Sequence, residues 1–164
     1  MAQKETLSSL TNGNFAKELS IADGKMPPNA LDFERLVIGT FLIDKKGLDH
    51  SIDLLTPEVF YDPRHQVIFS TILKLYEGNQ PVDLMTIIQD LKKDGRLNLA
   101  GGDSYIIDLT MGVSSSAHIE YHVRVILEKY ILRSLINVSA NVIDAAYKES
   151  TDVFELLDKA EQSF

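Results

Sequence analysis

Regular alternation of apolar and polar positions begins only near residue 31. Residues 1–26 are polar and aperiodic, with Ser8-Ser9, Thr11-Asn12-Gly13-Asn14 and Asp23-Gly24. Their few apolar side chains cannot offset the entropy of ordering the backbone, so a flexible amino-terminal tail is expected there. Met26-Pro27-Pro28-Asn29 closes it. The two prolines set an extended approach, and Asn29 is placed to cap a helix with Asp32 in its first turn. Leu31, Leu36, Val37, Ile38, Phe41 and Leu42 then follow so densely that a helix buried on more than one side is predicted.

Further helix starts carry their own chemistry. Thr56-Pro57-Glu58 supplies a cap, a first-position proline and an early acid for a short turn of helix. Asp62-Pro63 repeats the device and opens a helix with Val67, Ile68, Phe69, Ile72, Leu73 and Tyr76 at spacings of three and four, stopping at Gly78. Val82-Asp83 starts another, with Leu84, Ile87, Ile88 and Leu91 inward, ending at Gly95. Gly101-Gly102 makes a tight turn before Tyr105, Ile106 and Leu109.

Residues 115–164 have a different pattern. Ser115 can cap a helix that runs without glycine or proline to about Tyr147. One stripe on it reads Ile119, Val123, Ile126, Tyr130; another reads Ile131, Leu135, Val138, Val142, Ala145, with Leu132, Ile136 and Ile143 beside it. A second helix begins near Asp152, where Glu155 completes a capping box, and its seam is Val153, Leu156, Leu157, Ala160, Phe164. The expected fold is therefore all-α: a flexible tail (1–26), a compact multi-helix head (27–114) and an antiparallel helical hairpin (115–164). One short partner helix cannot cover a long helix that is apolar around much of its circumference. Either a second copy covers the rest, with Ile131, Leu135, Ile136, Val138, Val142 and Leu156 as the self-association residues, or the head folds back over it.

Composition removes several alternatives. The 164 residues include no cysteine, so disulfide scaffolds, thiolate metal sites and cysteine nucleophiles are excluded. No apolar run approaches the roughly 20 residues that span a bilayer, and the first residues lack a secretory leader's basic start and apolar stretch. A soluble, cytoplasmic protein is expected. Net charge is −8, with eight basic against thirteen acidic residues over 27–115 and five against eight over 116–164. Neither part offers the clustered Lys and Arg that hold phosphates, so no direct contact with nucleic acid is expected.

Catalytic chemistry is sparse. His118 and His122 share a helical face with Glu120 between them, a spacing that can grip zinc, so a metal-dependent hydrolase is the alternative from another class. The glutamate does not directly follow the first histidine, no third ligand is in view, and two solvated histidines are expected instead. His65, in a helix's first turn after Asp62-Pro63-Arg64, reads as a surface residue. Asp44, Asp49 and Asp53 lack the rhythm and central glycine of a calcium loop and read as a solvated loop. Gly101-Gly102 is not followed by the Gly-Lys-Ser/Thr of a phosphate loop. Ser114-Ser115-Ser116 reads as capping, and Arg64, Lys92, Lys93 and Arg96 are scattered among acids.

Pro27-Pro28-Asn29-Ala30-Leu31-Asp32-Phe33-Glu34, entering an apolar helix, resembles the start of the amino-terminal domain of bacterial replicative DNA helicases of the DnaB type. The likeness continues through Leu55-Thr56-Pro57-Glu58-Val59-Phe60-Tyr61 and Arg64-His65-Gln66-Val67-Ile68-Phe69. It goes on through Pro81-Val82-Asp83-Leu84-Met85-Thr86, Gly101-Gly102-Asp103-Ser104-Tyr105 and Ala117-His118-Ile119-Glu120-Tyr121. Together these segments cover about residues 27–164; Ser114 departs from the proline that relatives often carry. The resemblance implies hairpins that pair, and domains that form a collar, a trimer of dimers, on a hexameric helicase at the nucleoid's replication fork. It implies docking of the primase's carboxy-terminal domain, with Asp32, Tyr105, Ile136 and Val142 as candidate contacts by position, and a helicase loader as a further partner. The ATP- and magnesium-dependent motor lies beyond this domain, so no cofactor and no catalytic residue are expected in this chain. A stand-alone helical adaptor sharing the domain is the alternative of the same class.

Overall fold

A computed structural model describes residues 25–148 and 150–164. The tail expected over 1–26 lies outside these apart from Lys25 and Met26. The described residues form seven α-helices and two 3-10 turns, with no strand among them. The helices are α1 (Leu31–Ile43), α2 (Lys45–Ser51), α3 (Pro63–Glu77), α4 (Leu84–Lys93), α5 (Asp103–Met111), α6 (Ile119–Tyr147) and α7 (Val153–Ser163). The turns are Ile52–Leu54 and Pro57–Val59. The fold is all-α, as the periodicity predicts. By their contacts, residues 29–130 form one compact unit, and residues 131–164, with the segment ending at Pro28, belong to a second.

In the first unit α1 is the central helix. Val37 through Leu42 are buried without interruption, as expected for a helix covered on more than one side. Ala30, not Asn29, occupies its N-cap position and makes no side-chain cap bond; Asp32 and Glu34 supply the negative charge that suits a helix start. The stretch from Asp44 to Asp53, expected as a loop, holds α2 and a 3-10 turn instead. Asp44 accepts the Lys46 N–H at 2.9 Å and caps α2. Leu48 and Ile52, four residues apart, are both buried, and this pair draws the segment onto the core.

The remaining boundaries follow the local chemistry. Asp62 and Asp83 cap α3 and α4 through the N–H groups of Arg64 and Thr86. Gly78 closes α3. Gly95, Gly101 and Gly102 adopt φ of 68°, 94° and 85°, a conformation that side chains rarely tolerate. Phe41, Phe60 and Phe69 form the centre, with Phe60 and Phe69 5.1 Å apart between ring centroids. Ile119, Val123 and Ile126, the first stripe of α6, complete this core, so the head does cover that part of the long helix.

One contact is close enough to forbid a side chain. A Cβ on Gly39 of α1 would lie 2.1 Å from the Leu109 carbonyl oxygen of α5 and 2.7 Å from Val113 Cγ2. Gly39→Ala is therefore expected to lower stability by about 2 kcal/mol, despite the roughly 1 kcal/mol helix-propensity advantage of alanine. A lower urea midpoint with an unchanged m value checks this, and an unaltered midpoint contradicts it.

In the second unit the residues of α6 from Ile131 onward meet the turn into α7. Thr151 Oγ1 donates to the Ala145 carbonyl at 2.8 Å, and Asp152 accepts the N–H groups of Phe154 and Glu155 to start α7. Ala145 lines a hollow together with Leu156 and Lys159, which shows α7 turning back along α6. The Arg133 guanidinium donates to the Pro28 carbonyl at 2.8 Å.

Candidate functional site

Two places stand out, one in each unit. In the second unit the apolar side chains exceed what the unit covers. Ile131 and Leu135 are 54% and 43% exposed, and Leu132, Ile143 and Tyr147 are exposed as well. Ile136, Val138, Val142 and Leu156 are half-buried. No described residue of α7 is buried, and Phe154 is 79% exposed. Ion pairs decorate the rim: Lys148 with Asp144 at 3.0 Å and Lys159 with Glu155 at 2.6 Å. At roughly 25 cal/mol per Å² of apolar surface, leaving such a strip in water costs several kcal/mol. Contiguous apolar surface rimmed by charge is the signature of an association face.

In the first unit a polar cluster runs from the core to the surface. Glu34 on α1 is buried, and its Oε1 accepts the Tyr61 N–H at 2.7 Å. The same oxygen lies 3.4 Å from His65 Nδ1 on α3, and His65 Nε2 lies 2.7 Å from the Tyr105 hydroxyl on α5. The consistent assignment has Nδ1–H directed at Glu34 and Nε2 accepting the tyrosine proton. His65 is 1% exposed, not the surface residue expected from its place in a first turn. Glu34 Oε2 is buried with no hydrogen-bond partner among the described residues.

Tyr105 is half-buried, and its face is covered by Arg64, whose guanidinium carbon lies 4.0 Å from the ring centroid; Arg35 lies at 5.6 Å. Burial raises the Tyr105 phenol above its ordinary value against the opposing pull of Arg64. Arg64 is itself paired with Asp62, Nη2 to Oδ2 at 2.7 Å. Burial works against the Asp62 carboxylate, but hydrogen bonds from the Arg64 guanidinium and backbone N–H outweigh it and hold the carboxyl below its ordinary value. A Cβ on Gly101 would lie 2.6 Å from Tyr105 Cδ1, so glycine is needed there for space as well as for φ.

Of the residues singled out by position, Asp32 is exposed on α1 and lines a hollow of about 260 Å³ with Arg35, Leu36, Asp108, Leu109 and Gly112. Arg35 connects that hollow to Tyr105, so Asp32 and Tyr105 belong to one region of the first unit. Ile136 and Val142 belong to the second unit. Glu34 and His65, the centre of the polar cluster, are what sequence reasoning missed.

The zinc alternative gains no ligand. Among the described residues no group of three or more His, Cys, Asp or Glu side chains could hold a metal ion. His118 is exposed, while His122 is half-buried with its ring 5.4 Å from Phe33 in edge contact. Burial, and then the nearby His118, lowers the His122 pKa. A depressed histidine pKa adds stability that is complete above the unfolded value of about 6.5 and is lost as pH falls through the folded value. Thermal midpoints are therefore expected to drop more between pH 7.5 and 5 for the natural chain than for His122→Gln; equal drops contradict this.

Residues 26–128 match the family described as the DnaB-like helicase N terminal domain. The chain is 44% identical over 138 residues to the replicative DNA helicase DnaB of Rhodothermus marinus, covering 84% of this chain and 15% of that protein. It is 33% identical over 138 residues to DnaB of Geobacillus stearothermophilus, covering 84% of this chain and 30% of that protein. The chain thus spans less than a third of either relative. Its fold matches the crystal structure of the N-terminal domain of DnaB helicase from Mycobacterium tuberculosis with a TM-score of 0.77 at 30% identity, covering 84% of this chain and 97% of that one. A DnaB-like replicative helicase solved for its interactions with primase shares the fold, with a TM-score of 0.69 at 23% identity over 82% of this chain and 32% of that one.

Proposed function

Since the chain belongs to the family of DnaB-like helicase N-terminal domains, we propose that it is the assembly and primase-docking part of a hexameric replicative helicase. The parent enzyme unwinds duplex DNA at the fork, in the cytoplasm, with ATP and magnesium used by a motor outside these residues. The chain itself turns over no substrate. Its work is association: hairpins pair through Ile131, Leu135, Ile136, Val138, Val142 and Leu156, and pairs assemble into a collar, a trimer of dimers. The carboxy-terminal domain of the primase docks on surfaces that include Asp32, Tyr105, Ile136 and Val142, and a helicase loader is a further partner.

The observation that carries this reading is the uncovered apolar strip of α6 and α7, where no described residue of α7 is buried. Two copies that lay these strips together remove the same patch from water on each, the geometry of a two-fold interface. A net charge of −8 and the paired state of Arg64 and Lys74 support a protein partner over nucleic acid. Sedimentation equilibrium over a concentration series tests it. The reading predicts masses of a dimer or larger, and a strict monomer at high concentration contradicts it.

A further inference from the structure

We propose that His65, held from behind by Glu34, is the positioning residue that sets Tyr105 on the docking face of the head. This rests on the docking reading of Tyr105 given above and deepens it. A tyrosine at a helix's first exposed turn is ordinarily free to change rotamer. Here the phenol is fixed by a 2.7 Å hydrogen bond to His65, the two rings lie nearly parallel with an 11° interplanar angle, and Arg64 closes over the outer face. Gly101 leaves the ring just enough room to lie flat, since a Cβ there would overlap it.

The burial of the histidine and carboxylate points the same way. His65 lies beside Phe60 with Glu34 against its Nδ1, both buried, and an apolar pair of similar volume would fill that space with less desolvation cost. What an apolar pair cannot do is reach outward and hold a half-buried hydroxyl. Glu34 orders the imidazole through Nδ1 while tying down the Tyr61 N–H, and the other ring nitrogen is thereby left facing Tyr105. The chain of contacts converts three rigid helices, α1, α3 and α5, into one fixed orientation of a surface ring, the arrangement that a precise recognition site requires.

The test compares the natural chain with Tyr105→Phe, which removes only the hydroxyl that His65 holds, and with His65→Phe, which keeps the buried volume. The primase carboxy-terminal domain is titrated calorimetrically into each, and Tyr105 is followed by NMR of ¹³Cζ-tyrosine-labelled chain. Each substitution is expected to weaken binding about tenfold, the loss of one anchoring hydrogen bond. In His65→Phe the Tyr105 resonance is expected to move to that of a solvated tyrosine. Binding by Tyr105→Phe within twofold of the natural chain overturns the proposal, as does a Tyr105 resonance unmoved in a folded His65→Phe. If the natural chain itself does not bind the primase domain, the docking reading is lost. The resonance then still decides whether His65 fixes the ring.

Discussion

On the proposed pairing of hairpins, replacing Leu135 by aspartate is expected to leave the chain monomeric without unfolding it. Leu135 is 43% exposed within its own chain, so a carboxylate there stays hydrated and costs the single molecule little. In the proposed hairpin pair the same position would be removed from water. Loss of the leucine forfeits about 2 kcal/mol of burial, and desolvating an unpaired carboxylate adds at least as much again. A sum of about 4 kcal/mol raises the dissociation constant about a thousandfold. Size-exclusion chromatography with static light scattering reads the mass, and circular dichroism verifies that helicity is kept. A variant that elutes with the mass of the natural chain at every concentration contradicts the assignment of this strip.

Truncating Glu34 is expected to cause the largest loss of stability. Glu34→Ala leaves the Tyr61 N–H and one nitrogen of a fully buried His65 without their acceptor. A buried donor stranded this way costs about 1–3 kcal/mol. Two such donors are stranded together. A loss of about 3 kcal/mol is expected, near 10 °C in thermal midpoint for a domain of this size. Glu34→Gln retains an oxygen for the Tyr61 N–H and is expected to recover part of the loss. The two variants are compared in urea at pH 7.5; equal stability of Glu34→Ala and the natural chain contradicts this role of the carboxylate.

Most of the fold was legible because its helix boundaries are written in local chemistry. Asp62-Pro63, Asp83 and Gly78 mark ends by capping or by stopping the chain, whatever packs around them. The segment from Asp44 to Asp53 was not legible, since seven helical residues are too few for a periodic signal and only the pair Leu48 and Ile52 betrays the buried face. The polar cluster was hidden for another reason. Its residues look like surface groups by type, yet Glu34 stands on the same face as Val37, Ile38 and Phe41, and His65 on that of Ile68, Phe69 and Ile72. Spacing placed both inside, and chemical type argued against it. On α6, periodicity shows two apolar stripes but cannot say which a neighbour covers. Ile119, Val123 and Ile126 are taken into the head, whereas Ile131 and Leu135 stay in contact with solvent.

The absence of cysteine gives direct access to the central claim, because a single introduced cysteine carries one spin label per molecule. Asn137 is exposed on α6 beside the strip. Double electron–electron resonance on labelled Asn137→Cys is expected to show a well-defined distance between copies, lost when Leu135→Asp is added. A label on this helix that reports only the featureless decay of isolated molecules, at concentrations near millimolar, contradicts pairing through the hairpin.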